Sequence, residues 1–269
     1  MSLYFKKMGD GPPLVIVHGL YGSSDNWISI ARSLSSHYTI YIPDMRNHGR
    51  SPHSEVHTYE AMSADIEEFA ASEFPGRKFI LAGHSMGGKV AMLFAMRNPE
   101  LVNALVVIDI SPFGDIGQES SVSGFHLRLL KAIISCRPGK ADVRDDIAVY
   151  MDDVTGSSRT TKFILKNLYR TEEGRLAWRL NAQALHDNLE NLMGGIAERG
   201  RVTGPVTGFP VLFIRGGLSD YMPVEDIDES RKLFPSLTIR TIEDAGHWLH
   251  SEKPEELINA IGEFLECNC

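Results

Sequence analysis

The chain has 269 residues, 43% hydrophobic and 23% charged, with 27 basic against 35 acidic side chains and a formal net charge of -8. These are ordinary values for a globular protein, which argues against disorder, and the negative balance would repel nucleic acid and anionic membrane surfaces. Cys136, Cys267 and Cys269 make no disulfide framework, and no apolar run reaches the length of a signal peptide or membrane span, so the expected setting is the cytoplasm.

In chain order, residues 3–6 are a candidate antiparallel edge strand, and apolar, β-branched runs at 14–17, 39–42, 79–82, 104–108, 211–214 and 238–242 read as strands. Helical patterns at 26–36, 59–73, 86–97, 224–234 and 254–266 alternate with them. Continuous apolar strands separated by helices suit a parallel sheet covered on both faces. The expected fold class is therefore α/β, with a doubly wound, mostly parallel sheet.

Between Pro112 and Pro210 the alternation stops, and only helical patterns remain, at 125–136, 160–169 and 175–189. A structureless loop of that length does not fit a compact domain, so a helical insertion is expected. The expected division is a core domain of residues 1–111 and 210–269 and a cap of residues 112–209, overhanging the carboxyl ends of the strands.

Gly83-His84-Ser85-Met86-Gly87-Gly88 follows the apolar run 79–82 and precedes the helical pattern 86–97. This is G-x-S-x-G in the strand-turn-helix setting where a serine is held exposed on a strained turn. Glycines two positions either side remove Cβ atoms that would collide with neighbouring backbone, and the helix aims its positive end at a developing oxyanion. Ser85 is the candidate nucleophile.

A serine hydroxyl needs a base within hydrogen-bond reach. His247, in Ala245-Gly246-His247-Trp248, lies after the last strand and before the helix at 254–266, at the same sheet edge as Ser85. It is the candidate base, while His250 reads as an accessory or surface residue. Two carboxylates compete to orient the imidazole: Asp109, at the end of the run 104–108, and Asp220, after the run 211–214. An oxyanion hole needs two backbone donors, and the amides of Met86 and Leu20 are the candidates, Leu20 standing in His18-Gly19-Leu20-Tyr21-Gly22. His18 reads as a hydrogen-bonded structural residue.

Together with Asp44-Met45-Arg46-Asn47-His48-Gly49-Arg50-Ser51 and Asp109-Ile110-Ser111-Pro112, these segments resemble the α/β-hydrolase superfamily along nearly the whole chain, and within it the YbfF-like carboxylesterases. The resemblance implies a helical cap inserted after strand six and esterase or thioesterase activity on short acyl chains. It favours an acid after strand six, where Asp109 stands, yet both positions here are aspartate and both stay open. It also implies that Asp44 and Arg46 pair within their loop.

The expected chemistry is two-step acyl transfer on a small-molecule ester or thioester, with no metal or organic cofactor, by a monomer or small homo-oligomer. Serine at position 85 argues against dehalogenase and epoxide hydrolase chemistry, which need a carboxylate nucleophile. Carbon-carbon bond hydrolysis, lactone hydrolysis, a menaquinone-pathway type of lyase reaction, and a receptor with vestigial hydrolysis stay as alternatives. In the cap, Phe125, Leu129, Phe163, Trp178 and Leu185 are candidates to line an acyl pocket, Phe125 and Trp178 foremost.

Overall fold

The computed structural model describes residues 1–114, 121–136, 144–198 and 204–268. Along the chain come β1 (Phe5–Met8), β2 (Pro13–Val17), α1 (Ile28–Leu34), β3 (Thr39–Pro43), α2 (Tyr59–Glu73), β4 (Phe79–His84), α3 (Met86–Arg97) and β5 (Val102–Ile108). There follow α4 (Ser121–Ser135), α5 (Arg144–Thr155), α6 (Ser158–Ile164), the short strands β6 (Leu168–Arg170) and β7 (Leu176–Trp178), α7 (Ala182–Asp187) and α8 (Leu189–Met193). The remaining elements are β8 (Val211–Gly216), α9 (Glu225–Leu233), β9 (Leu237–Ile242), α10 (Leu249–Glu252) and α11 (Pro254–Asn268).

Seven strands form one sheet in the order β1-β3-β2-β4-β5-β8-β9. Only β1 runs antiparallel, paired with β3 from Phe5 opposite Pro43 to Met8 opposite Ile40. β2 lies between β3 and β4, so the chain winds outward in one direction and then crosses back. Doubly wound sheets open a crevice at such a switch point, beyond the carboxyl ends of the strands.

The unbroken apolar strands are explained by two cores, one on each face of the sheet. Val15, Val17, Leu81, Leu105, Val107 and Phe213 pack on one side, among residues of α2, α3 and the segment after β5. Leu14, Ile16, Ile80, Val106, Leu212 and Ile214 pack on the other, against α1 and α11. With side chains alternating along each strand and both faces covered, a polar side chain buried in the sheet must find a hydrogen-bond partner, as Thr39 of β3 does in donating to Gly11 O at 2.8 Å.

One expectation needs correction. The segment after β5 is not wholly helical, because α6 ends at Ile164 and an antiparallel hairpin follows, Leu168 opposite Trp178 and Arg170 opposite Leu176. Strands of three residues are too short for alternation to register in the sequence, and the hairpin turns on Gly174 at φ 77°. The segment follows β5, the strand that Asp109 adjoins, as expected from the sequence.

Candidate active site

The tight turn between β4 and α3 gives Ser85 a left-handed backbone, φ 53° and ψ -123°. Non-glycine residues avoid that region, so the surroundings must hold it there. The Ser85 amide donates to Ile108 O at 3.0 Å, tying the turn to the end of β5. A Cβ at Gly83 would stand 2.1 Å from Gly87 O, and one at Gly87 would stand 2.3 Å from Val17 O. Those two glycines let the first turn of α3 press against β4 and β2.

His247, in the loop between β9 and α10, meets this serine: its Nε2 is 3.0 Å from Ser85 Oγ. Its Nδ1 is 2.8 Å from Asp109 Oδ2. Asp109 stands one residue beyond β5 at φ 51° and is fully buried. Its Oδ1 accepts from the Gly216 amide at 2.8 Å, and its Oδ2 accepts the Ser219 hydroxyl as well as His247. The Asp109 amide donates to Ile214 O at 2.8 Å, so β8 holds the carboxylate from both ends of the residue.

Of the two competing aspartates, the structure brings only Asp109 to the imidazole. Asp220 is exposed at the rim of a cavity, and among the described residues no hydrogen bond joins it to His247. The loop after β8 contributes Ser219 instead, a residue that sequence reasoning passed over although it adjoins the acid under consideration.

Two rings, Tyr221 and His84, position His247. Tyr221 stacks on it with centroids 3.5 Å apart and planes 14° from parallel. His84 lies 4.8 Å from it by centroid and donates from Nε2 to His247 O at 2.8 Å. Burial pushes the His84 pKa well down, so the ring is neutral and its proton sits on the nitrogen that makes this bond. His250 corrects its surface reading: it is buried, stacks on Trp27 at 4.9 Å, and burial holds its pKa down to about 3.

Two more neutral histidines pin the loop after β2. His18 donates from Nδ1 to Gly19 O and accepts the Met45 amide at Nε2, both at 2.9 Å. His48 donates from Nδ1 to Arg46 O at 2.9 Å and accepts the Tyr21 amide at 3.2 Å. Leu20 in this loop and Met86 both line the space over Ser85. Met86 opens α3, so its N–H has no carbonyl of an earlier helical turn to bind.

The pairing expected between Asp44 and Arg46 is also corrected. Asp44 accepts the amides of Ser24 at 2.6 Å and Arg50 at 2.9 Å. Arg46 forks onto Asp65 of α2, at 2.6 and 2.8 Å. Local amides suffice for one carboxylate, whereas the planar guanidinium matches the other bidentately.

Two cavities meet at Ser85. The first, with an empty volume of about 840 Å³, is lined by Met86, Lys89, Ser111, Leu192, Met193 and Asp226 among others. The second, about 650 Å³, is lined by His247 and by the apolar rings of Trp27, Phe125, Phe163 and Trp248. Phe125 thus faces the site, but Trp178 and Leu185 line neither cavity. Trp178 instead donates from Nε1 to Cys136 O at 3.3 Å, and Leu185 is fully buried in the packing of α7. An amphipathic pattern shows that a side chain turns inward but not whether it meets a cavity or a neighbour.

The polar lining of the first cavity was missed from sequence. Lys89 is buried, donates to Gly194 O at 2.6 Å and lies 5.6 Å over the ring of Tyr59. Asp226 is buried and accepts the Ser111 hydroxyl at 2.6 Å. Lys89 follows Ser85 by one helical turn, hence on the same face, and that spacing was the available signal.

A family model described as the alpha/beta hydrolase fold matches residues 12–127. The sn-1-specific diacylglycerol lipase ABHD11 of Danio rerio is 36% identical over 267 residues, spanning 97% of this chain and 81% of that protein. The chain belongs to the α/β-hydrolase family. The esterase YbfF of Escherichia coli K12 is 33% identical to this α/β-hydrolase over 258 residues, 94% of this chain and 92% of that one. A solved structure described as a marine microorganism esterase is 40% identical, with a TM-score of 0.92 over 97% of this chain and 98% of that one. The expected fold class holds, as does the resemblance to YbfF-like esterases. No described helix of this α/β-hydrolase is long and apolar enough to cross a membrane.

Proposed function

We propose that this α/β-hydrolase is a serine carboxylic-ester hydrolase acting on short-chain acyl esters or thioesters, with Ser85 as nucleophile, His247 as base and Asp109 as the acid that orients it. The observation that carries this reading is the unbroken line of contacts from Asp109 Oδ2 to His247 at 2.8 Å and from His247 to Ser85 Oγ at 3.0 Å. Related proteins named as esterases and a lipase support the substrate class.

In the first step Ser85 Oγ attacks the carbonyl carbon while His247 Nε2 takes its proton. The carbonyl oxygen turns toward the Leu20 and Met86 amides, which carry its developing charge. When the tetrahedral intermediate collapses, His247 returns the proton to the departing alcohol or thiol, and water then repeats the sequence on the acyl-enzyme. Asp109, held by Gly216 and Ser219, keeps the Nδ1 proton facing it, so that Nε2 is the free base. No step calls for a metal or organic cofactor.

In the same reading, residues 1–111 and 210–269 form the core, and residues 112–209 form the cap that roofs the two cavities. Three cysteines and no framework of cross-links support action in the cytoplasm.

Ser85→Ala is expected to lower turnover of p-nitrophenyl butyrate by at least ~1000-fold while leaving the thermal unfolding midpoint nearly unchanged. A fluorophosphonate should label the parent protein on Ser85 and leave the variant unlabelled. Retained turnover in the variant would sink the assignment.

A further inference from the structure

Among the described residues, four line both cavities: Leu20, Ser85, Tyr221 and His126. The first three belong to the loops and the elbow at the sheet edge, whereas His126 descends from α4. One turn before it on that helix, Val122 faces the first cavity; Phe125 and Leu129 beside it face the second. His126 therefore stands on the ridge of α4 that separates the two spaces above the serine. Its Nδ1 is 3.1 Å from Tyr21 OH, and its Nε2 is 3.2 Å from the hydroxyl of Tyr221, the ring stacked on His247.

Burial, reinforced by the neighbouring His247, pushes the His126 pKa down to about 3. The neutral ring has one donor and one acceptor, which suits a bridge between two hydroxyls. Its burial and these two bonds fix the ring as a rigid divider.

The reaction decides which half of an ester enters which space. The leaving oxygen must take its proton from His247 Nε2, and only the second cavity is lined by His247. The acyl carbon, joined to Ser85 Oγ, must then extend into the first. The two spaces differ in chemistry. An aromatic group in the first would press on the buried Lys89 and Asp226, while in the second it would meet Trp27, Phe125, Phe163 and Trp248.

We propose that His126 is a specificity-determining residue that divides the site into an acyl chamber and a leaving-group chamber, selecting esters of apolar, aromatic-bearing alcohols with compact acyl groups. This inference rests on the serine hydrolase reading above. Benzyl butyrate and propyl phenylacetate test it, being isomers that exchange a benzyl and a propyl group across the ester.

The parent protein should prefer benzyl butyrate by about tenfold or more in kcat/KM, the scale on which an apolar pocket discriminates. In His126→Ala the chambers merge, and the preference should fall toward unity because the phenylacetyl ring can cross into the aromatic side. His126→Phe, which fills the space without the hydrogen bonds, should keep it. The ratio does not depend on what fraction of a variant is folded.

A parent ratio near one, turnover of neither isomer, or an unchanged ratio in His126→Ala would each overturn the proposal. Fluorophosphonate labelling is read on the same preparations. A parent protein that is not labelled on Ser85 would overturn the hydrolase reading itself, whereas labelling with the wrong ratio overturns only the partition.

Discussion

Asp109 shows how much one residue depends on partners far away in the chain. Its two oxygens accept from Gly216, Ser219 and His247, and its backbone is held at φ 51°. Asp109→Asn would put a donor where donors already point and release the tautomer of His247, so kcat on p-nitrophenyl butyrate is expected to fall ~1000- to 10,000-fold. Asp220→Asn should stay within about threefold of the parent, since no hydrogen bond ties that residue to the imidazole and exposed polar changes act weakly. Ser219→Ala removes one bond to a buried carboxylate and should cost about tenfold in kcat with little change in KM. Comparable losses in both Asn variants would instead mean that the two carboxylates share the role. Sequence reasoning reached both aspartates because each follows a strand. Choosing between them needed the register of β5 against β8, which brings Asp109 beside Gly216 and Ser219.

At the scale of elements, the elbow is a local construction. Everything that shapes it lies within a strand, a turn and a helix of adjacent residues, which is why α3 from Met86 to Arg97 was legible with its boundaries. α2, from Tyr59 to Glu73, was equally legible, opened by the Thr58 side chain accepting the Ala61 amide. Gly83→Ala would thrust a Cβ against Gly87 O, and about 3 kcal/mol of stability should be lost in urea unfolding. An unchanged midpoint would mean that the turn relaxes at no cost. Arg46→Met tests a longer link, because it strands the buried Asp65 on α2 without its fork of donors. Breaking such a pair should cost ~3–5 kcal/mol, against little for a surface ion pair. The hairpin β6–β7 was not legible, since three-residue strands stabilised by tertiary packing leave no periodic trace.

Across the whole molecule, buried neutral histidines link the site to pH. Burial lowers the pKa values of His18, His48 and His84, and brings His57, His126 and His250 down to about 3. In the unfolded chain they titrate near 6.5, so between that pH and about 3 the unfolded state binds more protons. Stability is therefore fully present above pH 6.5 and falls as the pH drops below it, by up to ~1.4 kcal/mol per pH unit for each such residue. Urea unfolding at about pH 7.5 and 5.5 should show a loss of several kcal/mol at the lower value. An equal free energy at both would mean that these rings are not held neutral.

By itself the sequence determined the α/β class, the strands of the main sheet, the elbow with Ser85 and the loop that carries His247. Each of these is written in short-range signals: continuous apolar runs, glycines where a Cβ would collide, and a histidine between a strand and a helix. Only the tertiary structure decided that Asp109 meets the imidazole, that Ser219 and Tyr221 hold the pair, that Arg46 joins Asp65, and that His126 stands between two chambers. These are contacts between segments distant in the chain, set by strand register and by the packing of α4 over the sheet edge, and no local pattern encodes the distance between two such segments.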